Sequence, residues 1–140
     1  MGEKKIYVIF LVIIDAILII VILAFVAVWL WHKIQTKLLG GGDLTNEQFN
    51  QGMRKAQVVD LREKAPFKRK HIDGARNLPY TMLKYQYTEL RTDLPVYLYS
   101  DSLSVTLRAA RFLQKKNFSS IKWLKTGFED WDGRTKKSKY

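Results

Sequence analysis

Apolar residues follow two regimes along this chain. From Ile6 to Trp31 they run without a break except at Asp15. From Leu44 onward they come in short runs divided by polar residues. The first regime predicts a single transmembrane helix over 6–31, since spanning a hydrocarbon core takes about 20 apolar residues. A secretory signal would show a shorter apolar core and a small-x-small cleavage site, and neither stands out. Trp29 and Trp31 fit the aromatic belt at one membrane interface. Residues 1–5 are then a short tail, and 32–43 a linker with a flexible joint at Gly40-Gly41-Gly42-Asp43.

The second regime predicts alternating elements over 44–133. Thr45 is placed to cap a helix, with Gln48 three residues on to answer it. Val58 to Leu61 reads as a strand, and Ala65-Pro66-Phe67 as a turn or short helix. A turn at Asp73-Gly74 precedes an extended Ala75 to Leu78, ended by Pro79. Met82, Leu83, Tyr87 and Leu90 mark a helix. Val96 to Tyr99 is a strand apolar on both faces, hence central. A helix from Val105 to Lys116, a strand from Ile121 to Leu124 and a short helix from Gly127 to Trp131 complete the series. The alternation indicates an α/β domain with a mainly parallel sheet. Lys68-Arg69-Lys70 reads as a solvated face, and the basic tail 134–140 as disordered.

Charge adds a partner class. The chain has 24 Lys and Arg against 13 Asp and Glu, for a net +11. Residues from Leu44 on hold 20 of these basic and 10 of these acidic residues, a net +10. Such a surface suits an anionic membrane or nucleic acid, but no nucleic-acid motif or aromatic platform accompanies it, so specific nucleic-acid binding is not expected. Lys4 and Lys5, offset by Glu3, nearly balance Lys33 and Lys37 across the apolar run. The short tail can be translocated, which favours a single-pass protein of the cell membrane with its domain in the cytoplasm and its basic tail near an anionic leaflet. Asp15 lies about 13 Å into the span at ~1.5 Å per residue. It is read either as a polar contact with another membrane helix or a second copy, or as a protonated carboxyl tolerated in lipid.

There is no cysteine, which excludes disulfides, cysteine-held zinc, iron–sulfur clusters and a thiol nucleophile. The two histidines, His32 and His71, are far apart, and neither a metal nor a cofactor is expected. The candidate chemistry sits where a strand gives way to a helix, at Ser100-Asp101-Ser102-Leu103-Ser104-Val105-Thr106. A strand, a tight loop and a helix N-terminus present backbone N–H groups to an anion. A serine nucleophile needs a base with an orienting partner, and His71 is the only histidine in the domain. The competing reading is that these hydroxyls cap the helix and satisfy loop amides.

Val59-Asp60-Leu61-Arg62, Ala65-Pro66-Phe67 and His71-Ile72-Asp73-Gly74-Ala75-Arg76-Asn77-Leu78-Pro79 together resemble the N-terminal signature of rhodanese domains, with Lys70 where a glycine is usual. Lys125-Thr126-Gly127-Phe128-Glu129-Asp130-Trp131, after Asn117-Phe118 and a strand, is similar to the family's closing motif, with Thr126 for its first glycine. The resemblance covers 44–133. It implies a rhodanese-like α/β fold, a central mainly parallel sheet flanked by helices, and the membrane-anchored single-domain arrangement of some bacterial members. It implies structural roles for Asp60, Arg62, His71, Gly74, Ala75, Pro79, Gly127 and Trp131, with Asp60 and Arg62 bracing the active loop.

That loop departs from the family's C-x-x-G-x-R-S. Aligned on Ala109-Ala110, Ser100 falls at the cysteine, Leu103 at the glycine, Val105 at the arginine and Thr106 at the serine. Sulfur transfer needs a thiolate that carries a persulfide, tuned by a helix N-terminus and a cation, and a serine hydroxyl cannot form one. The expectation is a catalytically inactive domain that binds or scaffolds. The alternative is a rhodanese-type sulfurtransferase with some remaining activity, or one that uses a partner's thiol.

Overall fold

The computed structural model describes residues 2–38 and 42–139. The chain forms two compact units divided after Lys37.

The first unit is one helix, α1 (Gly2–Leu38), of 37 residues, about 55 Å long at ~1.5 Å per residue. It extends past the apolar run at both ends, so 2–5 and 32–38 are helical rather than tail and linker. Glu3 in the first turn and Lys37 in the last complement the helix dipole, and no glycine or proline interrupts them. Its large apolar side chains are exposed from Ile6 to Ile34, and it is long and apolar enough to cross a membrane. The Lys33 ammonium lies 4.6 Å from the Trp29 ring centroid. Asp15 has Leu11, Leu18 and Ile19 as its neighbours one turn away.

The second unit is built on five parallel strands: β1 (Asp43–Leu44), β2 (Gln57–Asp60), β4 (Arg76–Asn77), β5 (Val96–Tyr99) and β6 (Ile121–Leu124), in the order β1-β6-β5-β2-β4. β5 is central, as its two-sided apolar pattern requires. Val59 pairs with Leu98 and Asp60 with Tyr99, while Leu98 pairs with Trp123 on the other side. Alternation along the strands feeds two cores. Val59, Leu98 and Trp123 face one way, against Leu107, Ala109, Ala110 and Leu113 of α5 (Leu103–Lys115). Val58, Tyr99 and Leu124 face the other, against Phe49 of α2 (Asn46–Gly52) and Ile72. Ala109 and Ala110 are fully buried, and with so little side chain they let α5 approach the sheet closely.

Local signals explain most boundaries. The reciprocal cap forms: the Gln48 N–H donates to Thr45 Oγ1 at 3.2 Å and the Thr45 N–H to Gln48 Oε1 at 3.0 Å. Ala65-Pro66-Phe67 lies in α3 (Lys64–Arg69), and α4 (Tyr80–Gln86) follows Pro79.

Several expectations need correction. Of the glycine joint, Gly40 and Gly41 fall outside the described residues. Gly42 is buried, and its carbonyl accepts the Trp123 N–H at 2.8 Å. A Cβ there would come within 2.5 Å of the Ile121 carbonyl oxygen, so Gly42 and Asp43 belong to the sheet edge rather than to a linker. Gly127–Trp131 forms turns, not a helix. Gly127 takes φ +78, outside helical space, and the Trp131 N–H returns to the Phe128 carbonyl at 3.0 Å. The tail is not disordered through its described length. Thr135–Lys136 forms β7, antiparallel to β3 (His71–Ile72), and the Ser138 N–H reaches the Lys68 carbonyl at 3.0 Å. Finally, α5 begins at Leu103 rather than Val105.

Candidate functional site

The C-terminal ends of parallel strands are where open α/β sheets place their sites. Here the ends of β2 and β5 and the loop after β6 converge on Ser100. The Leu61 N–H donates to the Tyr99 carbonyl at 3.0 Å, carrying the β2–β5 ladder past its last pair. The Phe128 N–H donates to the Ser100 carbonyl at 3.1 Å. Gly127 makes that approach possible, since a Cβ on it would lie 3.1 Å from the same oxygen.

Beneath the loop lies a buried ion pair. Arg62 Nη2 donates to Asp60 Oδ2 at 2.8 Å and its Nε to Oδ1 at 3.1 Å, and the Arg62 N–H also donates to Oδ1 at 2.9 Å. Nη2 donates as well to the Lys70 carbonyl at 2.7 Å. Asn77 Nδ2 donates to the Arg62 carbonyl at 2.8 Å and the Asp60 carbonyl at 3.3 Å. The guanidinium stands 3.9 Å from the centroid of Phe128 and 5.8 Å from that of Tyr99. Burial works to lower the Arg62 pKa, but the Asp60 carboxylate outweighs it and holds the value above the ordinary one. Arg62 is therefore a fixed cation, and Asp101 at the loop edge acts on it in the same direction.

Tyr99 completes this group. Its ring is fully buried, and its hydroxyl accepts the Ile72 N–H at 3.1 Å. Burial, reinforced by the Asp60 charge, pushes the phenol far above its usual range, so it stays protonated. Sequence reading took Tyr99 only as an apolar strand residue. The available signal was a tyrosine at the end of a two-sided apolar strand, where a buried hydroxyl must find a partner. Asn77 and Phe128 stood inside quoted motifs without a role, and the structure supplies one for each.

The loop above is sparsely bonded. Ser100 is 6 % exposed, and its Oγ accepts the Ser102 N–H at 3.4 Å. Ser102 occupies the N-cap position of α5 but makes no side-chain capping bond. Thr106 returns both its N–H and its Oγ1 to the Ser102 carbonyl, each at 3.1 Å. Leu103 and Ser104 are exposed, and Val105 is half-buried. Because α5 starts at Leu103, only Ser100–Ser102 remain between strand and helix. Leu103, the first residue of α5, is a good helix former where the family's motif has glycine.

His71 does not join Ser100. Its Nδ1 lies 2.7 Å from the Phe67 carbonyl, so it donates there, and its ring stacks on Phe67 at 3.8 Å between centroids. Gly74 takes φ +90 in the turn before Ala75 and Pro79, and Trp131 packs edge-on to Phe49 at 5.6 Å. Among the described residues no cluster of three or more His, Cys, Asp or Glu side chains could hold a metal ion. Asp15, Trp29 and Trp31 lie on α1, in the other unit.

A parallel α/β sheet with a strand–loop–helix at its centre, braced by a buried Asp–Arg pair from the neighbouring strand, defines the class. The Rhodanese-like domain family model matches residues 45–134, and the chain belongs to that family. It is 47 % identical over 96 residues to YqhL, an uncharacterized protein of Bacillus subtilis (strain 168), covering 69 % of this chain and 76 % of that one. It is 27 % identical over 78 residues to YrkF of the same organism, named a putative sulfur carrier protein, covering 56 % of this chain and 42 % of that one. Its fold is similar to that of a thiosulfate sulfurtransferase from Pseudomonas aeruginosa, with a TM-score of 0.61 at 24 % identity over 69 % of this chain and 20 % of that one.

Proposed function

We propose that this protein is a membrane-anchored rhodanese-like domain that binds or scaffolds rather than transferring sulfur. Residues 6–31 hold it in the cell membrane, and 44–133 form the domain, on the cytoplasmic side. The observation that carries this reading is Ser100 at the strand end of a chain with no cysteine. A persulfide needs a thiolate, and Ser100 sits where the family's motif has its cysteine. Val105 supplies no guanidinium where the motif has arginine, and α5 begins at Leu103, where the motif has glycine. Asp15 offers a contact for a second membrane helix.

The test is thiocyanate production from thiosulfate and cyanide by the purified full chain, with and without an added thiol. Production at the buffer rate in both conditions is expected, and a rate above background overturns the reading. Ser100→Cys alone is expected to remain inactive, because Leu103 and Val105 still shape the loop. Robust turnover by that variant would instead restore the sulfurtransferase reading of the loop.

A further inference from the structure

The β3–β7 ladder joins two basic segments far apart in sequence. Its register sets His71 opposite Lys136 and Ile72 opposite Thr135. Continued by one pair, that register brings Lys137 beside Lys70, and the Ser138 N–H bond to the Lys68 carbonyl shows the two segments still together beyond the ladder. Lys68, Arg69 and Lys70 thereby share one edge with Lys136, Lys137 and Lys139. All but the half-buried Lys68 are exposed. Among the described residues none of the six makes an ion pair. The nearest carboxylates in sequence are Asp73, which faces Arg134 at 3.9 Å, Asp132, which is exposed and forms no ion pair among the described residues, and Glu63, which accepts a hydrogen bond from Thr81. Like charges placed side by side across a ladder repel, so this edge is short of an anionic counterpart.

We infer that this edge is a docking surface for anionic phospholipid headgroups, a deepening that rests on the membrane-anchored reading above. Clusters of four to eight cations next to a membrane helix bind acidic leaflets, and this cluster gathers its cations around the β3–β7 ladder, at the end of α3 and along β7 and the residues after it. Because α1 and the domain are one chain, a bilayer holding α1 would offer its headgroups to the domain at high effective concentration. A single-stranded nucleic acid would want free aromatic faces for stacking, and the aromatic ring within the patch, Phe67, is already stacked on His71.

The experiment uses the full chain in nanodiscs of phosphatidylcholine, alone or with about 30 % phosphatidylglycerol, and reads hydrogen exchange at 68–70 and 134–139. Exchange is expected to slow roughly tenfold on the anionic discs at low salt and to recover at about 0.5 M salt, where charge is screened within a few ångströms. The variant Lys136→Gln/Lys137→Gln/Lys139→Gln is expected to lose most of that slowing, as is Lys68→Gln/Arg69→Gln/Lys70→Gln, with exchange in α5 unchanged as the control for folding. Equal exchange on the two discs overturns the inference. So does protection by added RNA on neutral discs where phosphatidylglycerol gives none. Alkaline extraction of the chain from vesicles reads anchoring separately. If the chain is released, the anchored reading fails, and co-sedimentation of the released chain with anionic against neutral vesicles still decides the patch.

Discussion

Tyr99 and Ser100 are consecutive residues, both buried, and they belong to different structural regimes. The Tyr99 hydroxyl accepts the Ile72 N–H and feels the charge of the Asp60 carboxylate, which is itself held by Arg62. The Ser100 hydroxyl has one contact, with the Ser102 amide at 3.4 Å. The brace below the loop is charged, short-bonded and closed to water, while the loop is short, polar and largely exposed. The brace holds the strand end through its ion pair and hydrogen bonds, whatever the side chain at residue 100 does. Its integrity therefore says nothing about whether Ser100 reacts. The fold and its chemistry are separable in this family frame, and the boundary between them falls at a single peptide bond.

The widest test of that contrast is Arg62→Leu. It leaves Asp60 charged and buried without its partner, and loss of one member of such a pair costs about 3–5 kcal/mol. Urea unfolding of the domain transition in the full chain should show that loss. Replacing both residues by leucine should cost clearly less, since the penalty lies in the orphaned charge. If the single and double variants lose the same amount, the brace is not the electrostatic unit described.

Tyr99→Phe comes next, at about 1–3 kcal/mol, because it strips the partner from the buried Ile72 amide. It also carries a pH signature. The folded phenol holds its proton above the usual range, while an unfolded tyrosine loses its own near pH ~10. The native state thus binds more protons in alkali. Stability is full below that unfolded value and falls as pH rises past it, by up to about 1.4 kcal/mol per unit. The phenylalanine variant should lose that one-proton slope while other alkaline titrations remain. Identical slopes in the two proteins would place the Tyr99 hydroxyl in water rather than in the brace.

Most of the sheet could be read from the chain because its strands carry their own signals. Val96–Tyr99 is apolar on both faces and is central, Ile121–Leu124 is found as expected, and Thr45 with Gln48 forms its reciprocal cap. The misses share a cause. β1, β3 and β7 are two residues each, too short for a period of two to register, and long-range ladders hold them in place. The tail from Arg134 is polar and basic, so nothing local marks Thr135–Lys136 as a strand. Gly127 was legible as part of a motif, but its positive φ and its approach to the Ser100 carbonyl are tertiary facts. The start of α5 depends on Leu103, which resemblance to a glycine position hid and helix propensity would have exposed.

Gly127 lies between the two regimes, since the Phe128 amide behind it is what ties the loop backbone to the brace. Gly127→Ala forces a side chain into left-handed space, which costs roughly 1–2 kcal/mol, and crowds the Ser100 carbonyl. Thermal unfolding should detect that loss, and exchange at the Phe128 amide should quicken more than exchange in α5. Uniform quickening would show that the loop and the core open together and have no separate behaviour.

The smallest effect is the most discriminating. Ser100→Ala removes a hydroxyl whose one contact is near the outer limit of hydrogen-bond length. Ser102 is exposed, so its amide can bond water instead, and the net loss should be about 0.5 kcal/mol or less. The bond from Phe128 to the Ser100 carbonyl is main-chain and survives the change. In a double-mutant cycle with Arg62→Leu the two losses should therefore add to within about 0.5 kcal/mol. A larger coupling would mean that the Ser100 hydroxyl senses the Arg62 charge. It would then belong to the brace, and the division between a fixed scaffold and a sparsely bonded loop would have to be drawn beyond residue 100.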